Sequence, residues 1–242
     1  MKGMIRVMKN ICIIGSGSWG CALAIHVAKM GHNVKIWSFL QEEADLINQE
    51  RKCKFLPMAI MPENIYCTTN IEEAVKGSDV ILHVTPSKFF RDTLKQYKEY
   101  ITTQPVIICS KGFELSTLYT LSDVAKEEIP NVKIGAFSGP SHAEEVSLGI
   151  PTAIVIASKD YDVQCLVQDI FMNETMRVYT STDIQGVELG GALKNIIAFC
   201  AGITAELNLG DNTFAALISR GLTEIARLGV AMGGEHNTFY GL

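Results

Sequence analysis

The sequence contains no Cys-x-x-Cys pair and no cluster of cysteine with histidine. Its seven cysteines are scattered, and Cys12, Cys109 and Cys200 lie inside apolar runs. That is the pattern of reduced, buried thiols rather than of a disulfide framework, a zinc site or a catalytic thiol, so no metal is expected. Positive charge is not in excess either: 21 Lys and Arg stand against 26 Asp and Glu, a formal net charge of -5. This leaves no basic footprint for nucleic acid and no lysine-rich amphipathic stretch for a membrane surface. Small anions are not excluded, because helix ends and single lysines bind them locally. Long apolar runs are missing as well. None reaches the roughly 18 uninterrupted residues of a membrane span, and the nearest, residues 189–203, is broken by Lys194 and Asn195. The opening MKGMIRVMKN is too short and too charged for a secretory signal. A soluble cytoplasmic protein without membrane insertion is expected.

What the sequence does have is a large apolar share, 48% of 242 residues against 19% charged, enough for a sizeable core. Short β-branched runs alternate with helical patterns. Strands are expected at 11–14, 33–37, from Asp79, from Val106, at 132–138, 152–158 and 176–181. Helices are expected at 18–30, 41–49, 71–77, 87–100, 118–128, 141–149 and 161–171, with an irregular stretch around Pro57 and Pro62. Such alternation predicts an α/β fold: a doubly wound, Rossmann-type, mostly parallel sheet with right-handed crossovers. After about Ser181 the strand signal stops, and residues 183–207 and 213–232 read as long helices. The expected domains are therefore 1–182, a dinucleotide-binding unit, and 183–242, an incomplete all-helical unit. Too few helices remain to close a core of their own, which predicts either a fragment or a second subunit, as in a homodimer, over the exposed helices.

At the first strand-helix join stands GSGSWG, with Gly15, Gly17 and Gly20 in the spacing of a dinucleotide-binding turn. The first glycine permits the turn, the second lets backbone approach a pyrophosphate, and the third lets the helix pack on its strand. Ser18 is placed to cap the helix and offer its N–H to phosphate. At the end of the second strand, residues 37–40 offer neither the acid typical of NAD enzymes nor the arginine typical of NADP enzymes. The choice between NAD and NADP is not legible there.

Ligands of open α/β sheets gather at the carboxyl ends of strands. Lys111, followed by Gly112, stands at one such end, and reads equally as a ligand for an anion or carbonyl and as a solvated surface lysine. SGPSHAEEV repeats the strand-turn-helix design, with Ser141 as the expected cap and His142 more readily structural than catalytic. In DIQGVELGGALKN two glycines weaken a helix that also carries Lys194 and Asn195 in apolar surroundings. Burial lowers a lysine pKa and makes it a proton acceptor near neutrality, whereas a lysine that reaches out to solvent needs no function.

GSGSWGCALA, VTPS, SKGFE, SGPSHAEEVSLGIPTA, GVELGGALKN and AALISRGLTEIARLG together resemble the bacterial soluble NAD(P)-dependent glycerol-3-phosphate dehydrogenases, in order and spacing, along essentially the whole chain. The resemblance implies hydride exchange between sn-glycerol 3-phosphate and dihydroxyacetone phosphate, for phospholipid synthesis, with NAD or NADP as cofactor. It implies Lys194 as the proton acceptor. Gly15, Gly17, Ser18, Trp19, Gly20, Phe39, Lys111 and Ala143 would meet the cofactor, and Lys111, Gly139, Ser141 and Asn195 the substrate. Two departures stand out. NADP-binding members usually offer His or Arg near position 39, where this sequence has Phe39, and the family's GLGDL-like segment and phosphate-gripping Ser-Arg-Asn motif are not in this sequence. A catalytically impaired nucleotide-binding protein is thus the alternative. A ketopantoate reductase or other β-hydroxyacid dehydrogenase shares the layout but is disfavoured by GALKN beside SGPSHAEEV.

Overall fold

The computed structural model describes residues 7–241. Ten strands form: β1 (Asn10–Ile14), β2 (Asn33–Trp37), β3 (Lys52–Cys53), β4 (Leu56–Ile60), β5 (Ile65–Thr68), β6 (Val80–His83), β7 (Val106–Ile108), β8 (Ile134–Ser138), β9 (Thr152–Ser158) and β10 (Met176–Ser181). Eight of them make one sheet in the order β10-β9-β8-β7-β6-β1-β2-β5. All neighbours run parallel except β8 and β9. The chain reverses direction of travel at β1, which lies between β2 and β6, and that reversal opens a crevice beyond the strand ends.

Side chains alternate across a strand, so a strand covered on both faces needs apolar residues at every position. In β1 that requirement is met: Ile11 and Ile13 enter one core, Cys12 and Ile14 the other. The first core is closed by α1 (Ser18–Lys29), α6 (Ala143–Leu148) and α7 (Tyr161–Phe171), the second by α3 (Ile71–Val75), α4 (Phe90–Tyr97) and α5 (Leu121–Glu128). Between β2 and β3 runs α2 (Gln41–Glu50).

Several expectations are corrected. The stretch expected to be irregular holds the antiparallel pair β3–β4 and the edge strand β5. Pro57 fits there because a two-stranded ribbon leaves its N–H side unpaired. The single helix expected over 87–100 is a 3-10 turn, then α4, then another 3-10 turn. The helix expected from residue 118 starts at Leu121, because Leu118 adopts a φ of 60° and the Thr120 hydroxyl accepts from Asp123 N–H at 3.4 Å. Neither serine proposed as a cap is one. Gly17 caps α1, which makes Ser18 its first residue, and His142 occupies the cap position of α6, with Ser141 just outside.

The helical unit consists of α8 (Ile184–Glu206), α9 (Gly210–Ala231) and a short α10 (His236–Gly241) that has no counterpart in the sequence-based reading. Ile184 and Val187 dock α8 on the sheet against Ala136 and Ala157. Asp183 begins it. One carboxylate oxygen accepts from Gly186 N–H at 2.8 Å, and the other accepts from Glu235 N–H at 2.8 Å and the Thr238 hydroxyl at 2.7 Å. Of the described helices, α8 alone has the length and apolar composition to cross a membrane. It carries Glu188 and Lys194 inside that length, and both are tied to the sheet unit. Toward its carboxyl end Phe199 is 71% exposed.

Candidate active site

The turn after β1 assigns its glycines three different tasks. Gly15 has a φ of 124°, and a Cβ there would meet the Val84 carbonyl carbon at 3.2 Å. At Gly20 a Cβ would lie 2.1 Å from the Gly15 carbonyl oxygen, so only glycine lets α1 pack on the turn. Gly17 is exposed and a Cβ would meet nothing within 4 Å, which leaves open space in front of the helix. Among the described residues no side chain caps α1, and its first turn holds no acid, so the leading N–H groups suit an incoming anion. Trp19 Nε1 is buried without a partner among the described residues.

This turn forms one wall of a cleft of about 650 Å³ at the crevice. Phe39 and Leu40 follow β2 on a second wall, Val84 to Pro86 follow β6, and Cys109 to Lys111 follow β7. The residues present thus fit a dinucleotide: unpaired helix N–H groups for phosphate, an exposed Phe39 face, and a cationic Lys111 at the far end.

Lys111 and Lys194 come together from distant parts of the chain. Gly191 brings α8 against the sheet end, where a Cβ would lie 2.5 Å from Ser138 Oγ and 3.8 Å from Lys111 Cγ. One turn on, Lys194 Nζ donates to the Gly139 carbonyl, which also accepts from Ser141 Oγ at 3.3 Å. Burial, seconded by the charge of Lys111, brings the Lys194 pKa down to about 8, and burial lowers that of Lys111 too. Asn195 is exposed beside Lys194, and Ala143 is buried in the core between α1 and α6, off the cleft wall. His142 is on the surface, 3.8 Å from Glu144.

Sequence reasoning passed over three groups. Glu43, on α2, lines the cleft at the end of β2. Arg91 of α4 grips Glu114 through two bonds of 2.7 and 2.8 Å and reaches Glu127 and Glu128 at 2.8 Å, which fastens the loop that carries Lys111 to α4 and α5. Within that loop Gly112 has a φ of 124° and packs on Ser87, and Phe113 bridges to Thr120. Glu188 of α8 is buried, accepts from Ser122 N–H at 2.9 Å, and is pushed up to about 7 by burial. Each depends on contacts between residues far apart in sequence, and only Glu188, an acid in the apolar run that precedes Lys194, left a local signal.

The family model described as NAD-dependent glycerol-3-phosphate dehydrogenase N-terminus matches residues 10–164, and its C-terminus model matches 183–242. The chain belongs to this family. A glycerol-3-phosphate dehydrogenase [NAD(P)+] of Fusobacterium nucleatum is 50% identical over 240 residues, 97% of this chain and 71% of that protein. One from Bacillus pumilus is 47% identical, over 97% of this chain and 70% of its own. The crystal structure of glycerol-3-phosphate dehydrogenase from Coxiella burnetii superposes with a TM-score of 0.92 at 35% identity, covering 97% of this chain and 73% of that one. The dehydrogenase is thus an NAD- or NADP-dependent oxidoreductase that interconverts glycerol 3-phosphate and dihydroxyacetone phosphate, on a Rossmann-type sheet with a helical carboxyl-terminal unit.

Proposed function

We propose that Lys194 exchanges the proton at the C2 oxygen of glycerol 3-phosphate in this reaction. The observation that carries the reading is the environment of that amine: half-buried, hydrogen-bonded among the described residues only to the Gly139 carbonyl, and near a second cation, with a pKa of about 8. At that value the neutral amine that takes the hydroxyl proton and the ammonium that returns it to a carbonyl are both populated near neutral pH. The bound nicotinamide cofactor supplies or receives the hydride. Lys111, at the junction of the cleft and α8, places positive charge where the C2 oxygen becomes negative, and in the same position keeps Lys194 deprotonated more easily. Gly139, Ser141 and Asn195 flank Lys194 on the substrate side. Gly15, Gly17, Ser18, Trp19, Gly20 and Phe39 receive the dinucleotide, with Ala143 supporting α6 behind them.

The functional boundary is placed after residue 182, so that 1–182 bind the cofactor and 183–242 begin the substrate unit. We place the enzyme in the cytoplasm, supplying glycerol 3-phosphate to phospholipid synthesis, and as a homodimer; a monomeric mass at micromolar concentration would remove the dimer. The test of the reading is the loss of nicotinamide absorbance from NADH or NADPH on addition of dihydroxyacetone phosphate. Turnover that disappears in Lys194→Ala while cofactor still binds supports it. Undiminished turnover in Lys194→Ala overturns the role of Lys194, and cofactor binding without any turnover favours a nucleotide-binding protein.

A further inference from the structure

The end of β2 shows neither acid nor arginine in sequence, yet the folded chain places a carboxylate there. Glu43 sits at the first turn of α2, and its Oε2 accepts from Ser16 Oγ at 2.5 Å and from Ser38 Oγ at 3.0 Å. The two serine oxygens lie 2.8 Å apart. Ser16 belongs to the glycine turn and is 7% exposed, whereas Ser38 follows β2 and is 0% exposed. The carboxylate is therefore pinned at the corner between the phosphate-binding turn and the end of the second strand, on the cleft wall. No bond from the described residues falls on Oε1.

In doubly wound nucleotide folds this corner receives the ribose of the adenosine half, and an acid about 20 residues beyond the glycine turn accepts from its 2′-hydroxyl. Glu43 meets that requirement in space through α2 instead of through the strand end. We propose that Glu43 selects the cofactor: Oε1 accepts from the ribose 2′-hydroxyl, and the same charge repels a 2′-phosphate, so that the enzyme prefers NADH to NADPH. The inference rests on the reading of the cleft as the dinucleotide site. A 2′-phosphate would bring a second negative group beside a carboxylate that two buried serines hold in place, and like charges so juxtaposed oppose binding. Compensating cations are remote or engaged. Lys111, the sole cation among the described residues of the cleft wall, follows β7 at the opposite end. Lys54, next to the cleft residue Phe55, lies 3.8 Å from Glu42 and over the Phe55 ring. At position 39 an exposed phenylalanine offers an apolar face and no charge.

The experiment is direct titration of the protein with NADH and with NADPH, without substrate, read by calorimetry or by the fluorescence of Trp19 and Trp37 on the cleft wall. NADH is expected to bind at least about tenfold more tightly, the equivalent of one opposed charged contact. Raising the salt to about 0.5 M should narrow the gap, because screening weakens the repulsion. In Glu43→Gln, NADPH should gain and NADH lose, so that the ratio falls at least about fivefold. Equal affinities in the wild type, or a preference for NADPH, overturn the proposal without any variant, and so does an unchanged ratio in a folded Glu43→Gln. Those results leave the cleft as the cofactor site. Failure of both nucleotides to bind would instead overturn the reading of the cleft, and this inference with it.

Discussion

Gly191 of α8 and Ser138 at the end of β8 meet so closely that a Cβ on the helix would lie 2.5 Å from the serine hydroxyl. That hydroxyl is buried and has no partner among the described residues. The contact sets the depth at which α8 lies on the sheet, and Lys194 follows one turn later on the same rod.

Gly191→Ala is therefore expected to push α8 outward. Overpacking of this kind costs about 1–3 kcal/mol, and turnover should fall further than stability alone explains, because Lys194 leaves the Gly139 carbonyl. Ser138→Gly in the same chain removes the clashing hydroxyl and should restore most of both. Thermal midpoints and kcat/KM for the single and double variants check this.

The pH dependence of Lys194 has opposite signs in the two directions. With a pKa of about 8, the amine is increasingly neutral as pH rises through that value. With Lys194 in the proposed role, oxidation of glycerol 3-phosphate would draw on the neutral amine and should speed up across that rise, whereas reduction of dihydroxyacetone phosphate would draw on the ammonium and should slow down. Profiles of kcat/KM in both directions report it, and two parallel profiles would remove the assignment.

Glu188 should weaken the fold as pH rises. Its pKa is raised by burial from 4.5 to about 7, so between those values the native state holds a proton that the unfolded chain has released. Stability is thus lost as pH climbs through that window, by about 3 kcal/mol once the carboxyl is ionised in place. Glu188→Gln keeps an acceptor for Ser122 N–H and should abolish the slope, matching the wild type near pH 5 and exceeding it near pH 8. Glu188→Ala strands that N–H and should cost about 1–3 kcal/mol at every pH. Denaturant unfolding at several pH values separates them.

Arg91 holds Glu114 down to about 2, chiefly by direct hydrogen bonds. The stabilisation is complete above the ordinary carboxylate range and disappears as pH falls from 4.5 toward 2. Arg91→Ala should remove that acid-sensitive component and cost about 1–3 kcal/mol, as charged hydrogen bonds of partly buried groups do. Since Glu114 lies in the loop that bears Lys111, proposed to face the developing charge on the C2 oxygen, kcat should fall more than KM rises. Steady-state kinetics with varied dihydroxyacetone phosphate distinguishes this from a purely structural loss.

The parts of the molecule that were legible in sequence are those dictated by local physics. β1, β6 and β7 announce themselves through apolar runs (11–14, 80–82 and 106–108) because helices cover both sheet faces, and the glycine turn is legible because its steric demands recur at fixed spacing. Lys194 stands out as a charge in an apolar helix. β5 escapes because four residues beside Pro62 and Asn64 carry too little pattern, and α10 because six residues give no helical period. His142 takes the cap position of α6 although serine is the better cap, since the Ser141 hydroxyl is turned back to the Gly139 carbonyl. Glu43 was illegible for a different reason: it comes from a helix after the strand, where strand-end spacing gives no guide.

Asp183 joins the start of α8 to α10 through bonds that span 52 and 55 residues. The helical unit is in effect a ring closed by a side chain, without a covalent link. In a unit so closed the two ends are coupled: releasing α10 frees one carboxylate oxygen, uncovers the aspartate and slackens the first turn of α8. Loosening of α10 is thereby transmitted to the rod that carries Lys194, and that lysine inherits the stability of a segment more than forty residues downstream.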